Sequence, residues 1–97
     1  MDYPAYSITY GPMYPPGIYT PKARLNVRAY PSTTSQVLRQ VRPYQPIQVY
    51  GYWIDLKRDA YWLAVDVLLS EWVAHRHGGE WLGALVFDDL AESQREE

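Results

Sequence analysis

From Arg24 onward the chain alternates apolar and polar side chains at period two, in short runs interrupted by Pro, Gly or clustered hydroxyl residues. Period two is the spacing of a strand with one buried face. Leu25 and Val27 point one way, Asn26 and Arg28 the other. Tyr30-Pro31-Ser32-Thr33-Thr34-Ser35 then reads as a loop, because Pro presets φ and hydroxyl side chains hydrogen-bond to nearby backbone. Val37 to Val41 is a second strand, and Arg42-Pro43-Tyr44-Gln45-Pro46 a turn. Ile47 to Ile54 is a third strand with Ile47 and Val49 inward, and its Gly51 marks a bulge or bend.

Asp55-Leu56-Lys57-Arg58-Asp59 is a charged hairpin loop. Tyr61 to Val67 follows as a fourth strand, with Leu63, Val65 and Val67 on its core face, and Glu71 to Arg76 as a fifth. His77-Gly78-Gly79 breaks it, and Leu85-Val86-Phe87 closes the series. Five or six short strands with such punctuation make a small all-β barrel. The competing pattern lies at 60–74, where Tyr61, Leu63, Ala64, Val67, Leu68 and Trp72 could share a helical face. The β-branched Val65, Val67 and Val73 favour strand there.

Residues 1–21 differ in composition. They hold Pro4, Pro12, Pro15, Pro16 and Pro21, and half of the ten Tyr. Proline fixes φ and lacks a donor, so neither a helix nor a central strand is expected; the segment reads as an extended or polyproline-like arm. A solvated linker has few aromatics. The Tyr rings are therefore expected to pack on something, either the chain's own barrel or a partner, with disorder the remaining alternative. The domain plan is an arm at 1–21, a barrel at 22–87 and an acidic tail at 88–97.

Absence of Cys excludes disulfides, thiol catalysis and Cys-ligated metal. No run reaches the roughly 18 apolar residues of a membrane span, so no membrane insertion is expected. Met1-Asp2-Tyr3-Pro4 lacks the basic and apolar regions of a secretory signal, which gives the expectation of a cytoplasmic protein or one built into a particle. The body at 22–87 carries eight Lys or Arg against five Asp or Glu, while the tail is acidic. That weak field argues against a dedicated nucleic-acid binder, although bases could stack on exposed rings with Arg28 and Arg42 near phosphates.

Leu25-Asn26-Val27-Arg28, Pro31-Ser32, Val37-Leu38, Trp62 through Val65 and Trp72-Val73 occur in an order that resembles the bacterial SH3-like (SH3b) domain, over Arg24 to Phe87. The resemblance implies a small SH3-like barrel that binds and does not catalyse. It also implies the family's usual ligands, bacterial cell-wall peptides or other peptide-like chains.

The four Trp and ten Tyr stand against a single Phe. Tyr and Trp join a large apolar body to one polar tip and dominate binding hot spots. So many rings exceed what a small barrel can enclose. Trp62 and Trp72 are assigned to core or rim. The candidate partner-binding set is Tyr6, Tyr10, Tyr14, Tyr19, Tyr30, Tyr52, Trp53 and Trp81. His75 and His77, i and i+2 on a strand with Glu80 near, could in principle hold zinc. No third ligand is fixed by spacing, so no metal or cofactor is assigned. No Ser is placed beside a His, and Asp88-Asp89 lies in the tail, so no catalytic residue is assigned either. The sequence thus predicts a non-catalytic protein–protein interaction module. It is read as a small subunit of a larger assembly, such as a phage particle or multi-subunit bacterial complex, docked through its arm and aromatic surface.

Overall fold

Each alternating run of the body contains a strand in the computed structural model, which describes residues 7–87. The strands are β1 (Ile8–Pro21), β2 (Leu25–Arg28), β3 (Val37–Val41), β4 (Ile47–Asp55), β5 (Ala60–Ala64), β6 (Trp72–His77), β7 (Glu80–Trp81) and β8 (Gly83–Phe87). Among the described residues there is no helix, and all strand pairs are antiparallel. The hydrogen-bonded order is β3-β2-β6-β5-β4-β1-β8, with β7 hung on β6. The sheet curls into a small barrel-like fold around Met13, Tyr19, Val27, Val49, Leu63 and Val73. The Tyr44 N–H donates to the Pro21 carbonyl at 2.7 Å, which ties the β3–β4 turn to the end of β1.

The sequence expectation fails most clearly at β1. The stretch expected to stay out of the sheet interior is a 14-residue strand flanked by β4 and β8. The placement of the prolines explains how. Among the described residues, β1 pairs with β4 alone before Gly17 and is a sheet edge there, pairs on both sides from Gly17 to Tyr19, and pairs with β8 alone at Thr20 and Pro21. Pro12, Pro15 and Pro16 fall in the edge part, where register slips between Pro12 and Gly17, and Pro21 ends the strand. Edges, irregularities and strand ends are where a missing donor does no harm. Of the fates open to the arm, its described part takes packing on its own barrel. Tyr6 and residues 88–97 lie outside the described residues.

A second difference concerns Val67. β5 ends at Ala64, and Val67 and Leu68 are 70% and 81% exposed on a turn rather than on the core face. Asp66 stops the strand. Its Oδ1 accepts the Ser70 and Glu71 N–H groups at 2.8 and 2.9 Å, and its Oδ2 accepts the Ser70 hydroxyl at 2.6 Å. Partial burial opposes its charge, but these bonds and one from the Leu68 N–H outweigh it and hold the carboxyl below its ordinary range. The turn drives Leu69, at φ 56°, over the sheet. A Cβ on Gly51 would lie 2.5 Å from Leu69 Cδ2 and 2.8 Å from the Gly11 carbonyl oxygen, so only glycine fits there.

β5 is buried on both faces. Leu63 joins the barrel core, while Ala60, Trp62 and Ala64 form a second cluster with Trp72 on the opposite face. Trp53, Leu69 and Ala74 pack against this outer cluster. Trp62 and Trp72 are thus buried, as the sequence suggested, but outside the barrel.

Candidate functional site

The outer cluster carries the floor of a cleft. Tyr10 on β1, Trp53 on β4 and Trp62 on β5 are successive cross-strand partners, so one row of rings crosses three strands. Directly opposed residues share a face, and aromatic pairs in such positions stabilise a sheet. Tyr10 stacks on Trp53 with centroids 5.0 Å apart, and Trp72 meets the same indole edge-on at 6.2 Å. Tyr30 leans in from the β2–β3 loop, 5.8 Å from Trp53.

That loop is pinned by its own hydroxyls. The Ser35 hydroxyl donates to the Tyr30 and Ser32 carbonyls, each at 2.9 Å, and Arg28 Nη1 donates to the Ser35 carbonyl at 2.8 Å. Ser32 and Thr34 bond to each other at 2.9 Å. The loop's Tyr30 to Thr34 edge forms one wall of a cleft of about 480 Å³; Trp53, Trp62 and Ile8 supply apolar floor, and Asp55, Arg58 and His77 the polar end. Buried Asp55 accepts the Lys57 and Arg58 N–H groups at 3.1 and 3.2 Å and an ion pair from Arg58 Nη1 at 3.1 Å. The carboxylate is therefore spoken for by the hairpin turn it organises.

The candidate residues divide accordingly. Tyr30 and Trp53 line the cleft, and Tyr10 stacks on the Trp53 indole beside it without lining it. Tyr14 is 86% exposed but is not part of its lining. Tyr52, one position along from Trp53, faces the other way and packs on the barrel core. Tyr19 is a correction: it is wholly buried, with its hydroxyl donating to the Ala74 carbonyl at 3.0 Å, and it cannot meet a partner. Burial pushes its phenol well above the ordinary value. Gly17 to Tyr19 is the part of β1 paired on both sides, which is why its Tyr differs from Tyr10 and Tyr14.

Trp81 stands at a different place. Its half-exposed indole lies under the Arg76 guanidinium at 4.7 Å and against His75 at 4.7 Å. Tyr19 and Tyr61 enclose His75 from other sides at 5.0 and 5.1 Å. His75 Nδ1 is buried without a hydrogen-bond partner among the described residues. Burial pulls the imidazole down to about 4, against one opposing backbone hydrogen bond.

The two histidines part company at a bulge. Tyr61 pairs with Arg76 but Trp62 with Ala74, so β6 has one extra residue at His75. A bulge reverses the alternation beyond it. His75 therefore faces Tyr19 and Tyr61, and His77 turns to the Trp62 face and lines the cleft. Among the described residues no three His, Asp or Glu side chains converge as a metal site would need. Gly78 and Gly79, both at positive φ, make the two-residue β6–β7 hairpin turn that brings Glu80 back beside His77. Sequence reasoning did not pick out Trp62, Asp55, Arg58 or His77 as cleft residues. Only the Pro31 to Ser35 loop gave a signal, since binding concentrates on loops held by a rigid scaffold.

No protein-family model matches this chain, and no curated protein matches it. Among solved structures it is similar to the crystal structure of Ly7917 with the hydrolyzing product of MDP, at 14% identity and a TM-score of 0.60. The match covers 84% of this chain and 36% of that one, so the present chain spans little more than a third of that protein. At such identity the likeness is one of fold: a small all-β barrel-like domain.

Proposed function

We propose that this chain is a non-catalytic recognition module of the SH3-like (SH3b) kind that holds a short peptide-like ligand in the cleft between Tyr30 and Trp53. The carrying observation is the ring row Tyr10, Trp53 and Trp62 with Tyr30 opposite it. Flat apolar walls beside a few polar groups suit an extended chain whose backbone needs hydrogen bonds and whose small side chains need apolar contact. Asp55 is committed to its own turn, which suits a structural role for that carboxylate rather than that of a general base. The Leu25-Asn26-Val27-Arg28 resemblance, and the likeness to a structure solved with the hydrolyzing product of MDP, favour a cell-wall peptide as the ligand.

Titration with soluble peptidoglycan fragments, followed by tryptophan fluorescence and calorimetry, tests this. The wild-type protein binds, Tyr30→Ala weakens binding by about tenfold, the change expected for a central aromatic contact, and Trp81→Ala leaves it unaltered. Absence of wild-type binding rejects the reading.

A second reading draws on Tyr14, whose ring stands 86% exposed on the irregular part of β1. In it the chain is a subunit of a larger assembly, a phage particle or multi-subunit bacterial complex, docked through its N-terminal segment. Co-purification of a partner by the wild-type chain and its loss in Tyr14→Ser supports that reading; a monomer in light scattering with no bound partner counts against it.

A further inference from the structure

Two grooves meet at Trp62. Beside the cleft lies a second depression of about 320 Å³, lined by Arg24, Asn26, Arg28, Glu80 and Leu82 among others. It shares Thr33, Trp62 and His77 with the cleft, so a ligand lying on Trp53 and Tyr30 reaches it by passing His77. The bulge at His75 is what turns His77 to this junction.

The two ends differ in charge. In the cleft, Arg58 is paired with Asp55. The ion pairs among the described residues are Arg39–Glu71, Arg58–Asp55 and Arg76–Asp59, and neither Arg24 nor Arg28 takes part in one. Both Arg residues line the second groove, where Glu80 is the one acid among the described lining residues. Arg28 spends Nη1 on the Ser35 carbonyl, a neutral acceptor that does not offset its charge. Arg24 is exposed at the entry to β2. Asn26 accepts from Gln40 Nε2 through Oδ1 at 2.9 Å, which leaves its own NH2 group to donate. Guanidinium and amide donors around a groove with excess positive charge are the chemistry that binds a carboxylate.

We propose that this second groove is a carboxylate subsite of the same ligand track: Arg24 meets the carboxylate, Asn26 assists, and Arg28 supplies field while it holds the loop. The ligand is then an extended peptide-like chain with small apolar groups at one end and a free acid at the other. The proposal rests on the cleft reading above, and extends it from a class of shape to a class of charge.

The test uses a matched pair of peptidoglycan stem peptides, one with its carboxylates free and one amidated, titrated into the full chain. The free acid binds about tenfold more tightly at low salt, in keeping with one charge-assisted contact, and the preference shrinks as salt rises. Arg24→Gln brings the two affinities within about twofold and leaves the amide's affinity as it was. Glu80→Gln tightens the acid alone. Because Arg24 is exposed, the variant retains the wild-type circular dichroism spectrum and unfolding midpoint. Equal wild-type affinity for acid and amide, or an acid preference that survives Arg24→Gln, overturns the carboxylate subsite and leaves the aromatic cleft standing. Failure of the wild-type chain to bind either peptide overturns both.

Discussion

The Tyr10 ring lies stacked on the Trp53 indole, 5.0 Å between centroids and 27° from parallel. β1 and β4 set this pair in register, so the N-terminal strand backs the cleft's Trp53 through Tyr10 and joins the cleft floor through Ile8. A segment rich in proline thereby becomes part of the site through its edge residues.

Replacing Tyr10 by Ala removes the stack while leaving both strands intact. The expected loss is about 1 kcal/mol of stability, the scale of one aromatic pair beyond its buried area. Trp53 then loses cover, so the intrinsic fluorescence of the folded protein shifts to longer wavelength. A urea titration monitored by fluorescence measures both, and an unchanged emission maximum shows that Tyr10 does not shield the indole.

Gly51→Ala places a methyl against Leu69 and the Gly11 carbonyl at distances no relaxed contact tolerates. Leu69 is the apolar plug of the Asp66 to Ser70 turn, which must move if β4 and β1 are to stay paired. Overpacking of this kind costs about 1–3 kcal/mol. The loss appears as a lower urea midpoint with an unchanged m-value, and shortening the plug in Gly51→Ala/Leu69→Ala gives back less than additive destabilisation. Additive losses rule out the contact as the cause.

The enclosed His75 makes the fold less stable as the solution becomes acidic. Its imidazole protonates near pH 4 in the folded state, below the value of about 6.5 it has when unfolded. The unfolded chain therefore binds the proton first. This contribution to stability is present above about pH 6.5 and declines as pH falls toward 4, by up to about 1.4 kcal/mol per pH unit. The ionisable groups around the ring are Tyr19 and Tyr61, both pushed upward by burial and neutral throughout this window, with the Arg76 guanidinium beyond Trp81. A second positive charge within the cage would face Arg76 across the indole. Urea midpoints from pH 7 to 4 in wild-type and His75→Phe protein check this: the wild type falls more steeply, and parallel curves reject the assignment.

Much of the fold was legible because period two is a local property. Leu25 and Val27, Ile47 and Val49, and Leu63 fall on the faces that alternation assigns, and Pro31, Pro43, Gly78 and Gly79 stand in loops and turns, while Gly51 lies inside β4. The N-terminal prolines were misleading for a reason visible at β1: a proline's cost depends on whether a neighbour wants its N–H, and that depends on strand order. The site was half legible. Composition marked the rings as surplus to one core, yet could not tell Tyr19 from Tyr10, because burial of a β1 ring depends on whether β8 lies alongside.

Residue types and their spacing by themselves determined an all-β chain with more aromatic surface than a single core can absorb. Only the folded molecule decided which rings meet and where the charges fall. The His75 bulge parts two histidines that alternation would put together, and the β2–β3 loop brings Tyr30 to an indole more than twenty positions away. Such pairings follow from strand order and one-residue slips of register, which leave no local trace in the sequence.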